Sequence, residues 1–175
     1  MIGSAFVIDG GIPSQVANFF RNSPKFPRLN YFAIDENSIQ PIGDLELYLG
    51  LREFFERHGD TLTIVDIRGG SPHIRGQLER GSNLLPRLGM LRISHAMDIR
   101  TLLRGTFPEL KCLDISFFDT KSYDFAISAP NLEICQIAEN GRNFVGTRTV
   151  DLSDSPRLVT VSFSVAYDSR KLLFE

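Results

Sequence analysis

The amino-acid sequence predicts an α/β protein: a parallel sheet built from strands that recur along the chain, with helices and irregular connectors returning between them. Three observations predict it. A Pro-x-Leu unit recurs in one phase, isoleucine fills the last position of most copies, and several intervening segments carry a helical period.

The chain has 175 residues, the length of one compact domain. Nineteen basic against 21 acidic side chains leave a net charge of −2, which gives no electrostatic reason to expect nucleic acid or an anionic membrane as partner. A composition of 42% hydrophobic and 23% charged residues is that of a globular protein and excludes wholesale disorder. No apolar run approaches the roughly 20 residues a spanning helix needs. The opening MIGSAFVIDG lacks the basic stretch and long apolar run of a secretory signal. Two cysteines are too few for a disulfide scaffold and fit a reducing compartment. The expected location is therefore intracellular, cytoplasmic or nuclear.

Five segments align in chain order: Phe26–Ile34 (FPRLNYFAI), Leu85–Ile93 (LPRLGMLRI), Phe107–Ile115 (FPELKCLDI), Ala129–Ile137 (APNLEICQI) and Ser155–Phe163 (SPRLVTVSF). A sixth, Asp60–Ile67, keeps the leucine and the apolar alternation without the proline, and Ala5–Ile8 reads as the tail of a seventh. The lead leucines Leu29, Leu62, Leu88, Leu110, Leu132 and Leu158 are spaced by 33, 26, 22, 22 and 26 residues. Proline lacks an N–H and has a fixed φ, so it is expected at the entry to each strand and not inside it. After it, alternate residues share one side: Leu91 with Ile93, Leu113 with Ile115, Cys135 with Ile137, Val161 with Phe163. The closing column Ile34, Ile67, Ile93, Ile115, Ile137 and Phe163 is what stacked rungs of a parallel sheet would bury.

This pattern resembles the leucine-rich repeat, L-x-x-L-x-L with one strand per repeat, over residues 29–163. Repeats of irregular length, with proline ahead of the first leucine, look most like the repeat region of intracellular F-box/leucine-rich-repeat proteins. The asparagine that the family places after the strand appears as Asn37 and Asn140 only; Gly70, Ala96, Phe118 and Ala166 stand in other copies. The resemblance implies a right-handed solenoid, or horseshoe, with parallel strands on the concave face and helices and irregular connectors on the convex face. Residues 1–175 would form a single domain of six to seven repeats.

Between the strands, Pro13–Asn22 is expected to be helical, as is Gly43–His58, with Asp44 as cap, a stripe of Leu47, Leu51, Phe54, Phe55 and His58, and Gly59 as a left-handed terminator. Pro72–Arg80 reads as a short helical turn, and Asp98–Arg104 as a helix ended by Gly105 that turns Ile99, Leu102 and Leu103 inward. Asp119–Ser128 and Gly141–Asp154 lack a 3.6-residue period and read as extended or 3₁₀ connectors.

The exposed positions of the strands form three columns. The first reads Tyr31, Ile64, Met90, Cys112, Ile134, Thr160; the middle Ala33, Asp66, Arg92, Asp114, Gln136, Ser162; the third Asp35, Arg68, Ser94, Ser116, Ala138, Ser164. Tyr31, Ile64, Met90 and Ile134 make an apolar border to a polar stripe of Asp66, Arg68, Arg92, Asp114 and Gln136, a surface suited to binding a protein. The competing reading is that these charges pair with one another and keep an open sheet soluble.

Other residues give no chemistry. His58, His73 and His95 fall in different repeats without ligand spacing, so no metal is expected; His58, at a helix end, is read as a site where the dipole favours a cation. Cys112 and Cys135 are in opposite phase, which forbids a disulfide between adjacent rungs. Asp151 with Asp154 reads as a solvated loop, and Gly69-Gly70-Ser71 as a turn without the lysine-bearing helix of a phosphate loop. No catalytic residue and no cofactor is expected, so the chain is read as a non-enzyme that recognises a protein, possible tasks including substrate recruitment for ubiquitin ligation as the resembled family implies. The alternative is a structural or inactive repeat segment without a ligand. A solenoid needs polar caps; a strand this close to Met1 and an ending in Leu172-Leu173-Phe174 suggest a fragment lacking them, able to self-associate through its ends.

Overall fold

The structure, a computed structural model, describes residues 3–39, 44–69, 84–96, 106–118, 123–141 and 148–167. In chain order these form β1 (Ser4–Gly11), α1 (Pro13–Asn22), β2 (Leu29–Ile39), α2 (Asp44–His58), β3 (Ile64–Arg68), β4 (Met90–Ala96), β5 (Cys112–Phe118), β6 (Tyr123–Ala126), β7 (Ile134–Gly141), β8 (Arg148–Asp151) and β9 (Thr160–Tyr167). The class is α/β. Seven strands make one sheet in the order β1-β2-β3-β4-β5-β7-β9, every pair parallel. The expected helices Pro13–Asn22 and 44–58 are both present, and Ala5–Ile8 lies in a seventh strand.

The isoleucine column is one continuous row: Ile8, Ile34, Ile67, Ile93, Ile115, Ile137 and Phe163 are successive register partners. Its members from Ile34 to Ile137 are buried, together with Leu29, Leu62, Leu88, Leu110 and Leu132. Burying a side chain of this size stabilises by roughly 1.5–3 kcal/mol, so the row is the spine of the core. The last rung departs from expectation. Val161 and Phe163 have the predicted phase but are 58% and 53% exposed, because no described element packs over that end of the sheet.

The prolines sit further from the strands than strand-entry residues would. Pro27, Pro86, Pro108, Pro130 and Pro156 each occupy the second position of a tight turn. The lead leucine's N–H donates to the carbonyl before the proline, at 3.0–3.3 Å, as in Leu88 to Leu85 and Leu132 to Ala129. Proline's fixed φ pre-sets that position. The residue after each lead leucine then ties one rung to the next. Thr63 O accepts N–H bonds from Gly89 and Met90, Gly89 O from Lys111 and Cys112, Lys111 O from Glu133 and Ile134, and Glu133 O from Val159 and Thr160, all at 2.8–3.1 Å.

On the core side, α1 buries Val16, Ala17 and Phe20, and α2 buries Leu51, Phe54, Phe55 and His58. Gly50 lets the two helices touch, since a Cβ there would lie 2.8 Å from the Ala17 carbonyl oxygen. The Arg57 guanidinium donates to the carbonyls of Phe20 (3.1 Å), Arg21 (2.8 Å) and Ser23 (2.8 Å) at the end of α1. Those carbonyls have no partner within the helix. Gly59 is not left-handed; positive φ occurs at Gly10, Gly11 and Gly69. It is required instead by space, as a Cβ would collide with the Leu84 carbonyl. The side chains of Asp44 and Leu47 lie outside the described residues, as do Pro72–Arg80 and Asp98–Arg104.

Towards the C-terminus the core side is built differently. Within the two segments read as extended or 3₁₀ connectors, Tyr123–Ala126 and Arg148–Asp151 are strands, and they pair: β6 and β8 form a parallel two-stranded ladder, prolonged by Ile127 N–H to Asp151 O at 3.2 Å. Ile127 and Ala129 are buried in the shared core, with Val150 and Leu152 packed against it.

Candidate functional site

The opposite face of the sheet carries the columns read from the sequence. Tyr31, Ile64, Met90, Cys112, Ile134 and Thr160 are successive partners, and so are Ala33, Asp66, Arg92, Asp114, Gln136 and Ser162. The third column is interrupted. Asp35, Arg68 and Ser94 are in register, as are Ser116, Ala138 and Ser164, but a register shift after Ile93 separates the two sets.

Exposure follows the columns with one exception among the charged residues. Gln136 and Arg68 are exposed, Ile134 is 38% exposed, and Tyr31, Ile64, Met90, Arg92 and Asp114 are half-buried. Asp66, expected on the surface, is buried at 2%. Its neighbours cover it. The Tyr31 hydroxyl donates to its Oδ2 at 3.4 Å, and guanidinium nitrogens of Arg68 and Arg92 each stand 3.8 Å from the same oxygen. Arg92 Nε donates to Asp114 Oδ2 at 2.9 Å, so it bridges two carboxylates on adjacent rungs. Asp66 Oδ1, by contrast, is buried without a hydrogen-bond partner. Ala33 is also buried, a consequence of its small size between taller neighbours.

The electrostatics agree with this packing. Burial, then the Asp66 charge, raises the Tyr31 pKa, so the hydroxyl remains a donor. The hydrogen bond to Asp114 raises that of Arg92. Burial raises the Cys112 thiol and pushes Cys135 up to about 11, so both stay protonated near neutral pH and are poor nucleophiles. They lie in opposite phase, Cys112 beside Ile134 and Cys135 beside Leu113.

His58 differs from its reading as a helix-end cation. It is fully buried, its ring 4.5 Å from Phe54 and 5.4 Å from Phe26, and neither nitrogen has a hydrogen-bond partner. Burial, helped by Arg57 and Lys25, lowers its pKa; desolvation outweighs the dipole. Asp151, read as part of a loop, instead closes β8 opposite Ala126; its Oδ1 accepts the Ser153 N–H at 2.9 Å, in the turn that follows the strand. Gly70, Ser71, His73 and the His95 side chain lie outside the described residues.

One member of the face was missed. Asp9 pairs with Asp35 in the third column, and the signal was available, because Asp9 follows Ile8 as Asp35 follows Ile34. No described helix is long and apolar enough to cross a membrane. No protein-family model, curated protein or solved structure matches the chain.

Proposed function

We propose that this chain is a leucine-rich-repeat-like recognition module that binds a partner protein across the open face of its sheet. One observation supports it above the rest. Parallel sheets ordinarily have both faces covered, yet here, among the described residues, one face is packed and the other displays an apolar column from Tyr31 to Ile134 beside a charged one. An apolar surface rimmed by polar groups is the usual mark of an interaction site.

The test is quantitative affinity capture with the purified chain and a variant carrying Ile134→Asp and Gln136→Arg. Both side chains are exposed, so the variant is expected to unfold at the same temperature. A defined set of captured proteins should fall at least tenfold with the variant, and should survive Val159→Lys, just before the edge strand β9. An unchanged profile would favour the alternative, a structural segment whose charges serve only one another.

A further inference from the structure

We infer that this chain associates head to tail with further copies of itself, β1 of one copy pairing in parallel with β9 of another, so that the sheet runs on across the joint. Two independent observations carry it. The first is the state of the β9 edge. An edge strand that must stay unpaired is kept short, charged, bent by a bulge or broken by proline. β9 uses none of these devices: TVSFSVAY holds neither charge nor proline, and its eight residues run against β7 without a register shift. On its core side Val161, Phe163 and Val165 are each more than half exposed, whereas Cys135 and Ile137, which have a rung on either side, are buried.

The second observation is that the two outer edges are complementary. Inside the sheet, the N–H of a first-column residue donates to the carbonyl just after the previous rung's lead leucine: Met90 to Thr63, Cys112 to Gly89, Ile134 to Lys111 and Thr160 to Glu133, at 3.0–3.1 Å. Ala5 occupies that column as the partner of Tyr31, and no rung precedes it in the sheet. Val159 follows the last lead leucine, Leu158, and among the described residues none donates such a bond to its carbonyl. The two ends thus offer the donor and the acceptor that every internal joint uses. In that register Phe6 would meet Val161 and Ile8 would meet Phe163, which carries the isoleucine row into the next copy. Asp9 would lie opposite Ser164, so no like charges meet. A parallel return takes about a dozen residues, and residues 168–175 are too few to lay such a rung on β9; a second copy brings one already formed. Because the joint unites two different surfaces, each copy keeps one end free, and assembly continues unless it closes into a ring.

The experiment is analytical ultracentrifugation of the full chain and of two variants, Phe163→Glu at the β9 end and Ala5→Pro, which removes the N–H of the β1 end. Both residues are exposed, so at low concentration the variants should unfold at the wild-type temperature. Should Ala5→Pro unfold earlier, Phe19→Glu replaces it: Phe19 is 38% exposed and its ring lies 4.9 Å from Phe6 of β1. The wild type should gain mass with concentration beyond that of two copies, and each variant alone should keep the mass of one. An equal mixture of the two variants has one intact joint and should form a one-to-one pair and nothing larger. The inference is overturned if the wild type keeps the mass of one copy up to its solubility limit, the edge then being covered in some other way. It is equally overturned if either variant assembles alone, which means that like edges pair or that the contact lies elsewhere, or if the mixture fails to pair. The recognition reading stands or falls separately, on the capture profile of the Ile134→Asp, Gln136→Arg variant.

Discussion

The two ends of the sheet solve the same packing problem by different means. Behind β1–β3 the chain returns as helices, and the core there is aromatic: the Phe54 ring lies 4.5–5.7 Å from Phe6, Phe20, Phe32 and His58. Behind β5 and β7 it returns as the β6–β8 ladder, and the core is mainly aliphatic, with Leu113, Ile115, Ile127, Leu132, Cys135 and Ile137 buried beside two phenylalanines, Phe107 and Phe117. The strands themselves hardly differ. The rung is thus independent of what backs it, and the connector is chosen by length and composition. A 15-residue helix needs the long 33-residue step between Leu29 and Leu62, whereas a 22-residue step leaves room for a four-residue strand.

The most damaging way to break that comparison is Phe54→Ala, which empties the centre of the aromatic end and should cost about 3–5 kcal/mol. If the two ends are separately built, hydrogen exchange should rise first in β1–β3 and least in β7. Next is Arg57→Ala. It strips the donors from the α1 carbonyls and, for hydrogen bonds from a charged group, should cost about 2 kcal/mol in urea unfolding; Arg57→Lys should recover little, since an ammonium cannot span three carbonyls as a planar fork does.

A smaller effect is a pH dependence confined to the helical end. His58 has its folded pKa below the ordinary 6.5, so below that pH the unfolded chain binds the proton more readily. Stability should be unaffected by this group above about pH 7 and should fall as the pH drops through 6.5 towards the lower folded value. His58→Leu should flatten the slope between pH 7 and 5, measured as the difference between the two proteins. The smallest change is at the sheet-backed end. Pro108→Ala leaves the turn geometry available and should cost about 0.5–1 kcal/mol, by loosening the unfolded chain.

The sheet was legible in the sequence because its register is written twice, once in the prolines and leucines and again in the isoleucines. Helix α1 was legible to its limits, since Pro13 and the period of Val16, Ala17 and Phe20 mark them. The β6–β8 ladder was not, because YDFA and RTVD are too short for alternation to show, and their pairing is decided by the rungs beside them. Phase alone placed Asp66 on the open face correctly. Its burial depends on the reach of Tyr31, Arg68 and Arg92, which spacing does not encode. His58 was misread for the opposite reason: helix position suggested a cation, whereas Phe26 and Phe54 leave no water to solvate one. Val161 and Phe163 show that correct phase does not ensure cover.

The row of carbonyls running from Thr63 through Gly89 and Lys111 to Glu133 has an evolutionary consequence. Each grips the following rung at a fixed point, immediately after the leucine turn, so a connector can gain or lose residues without its strand slipping sideways. Insertions between rungs are absorbed as slack on the outside, and the seam decides where the next strand begins.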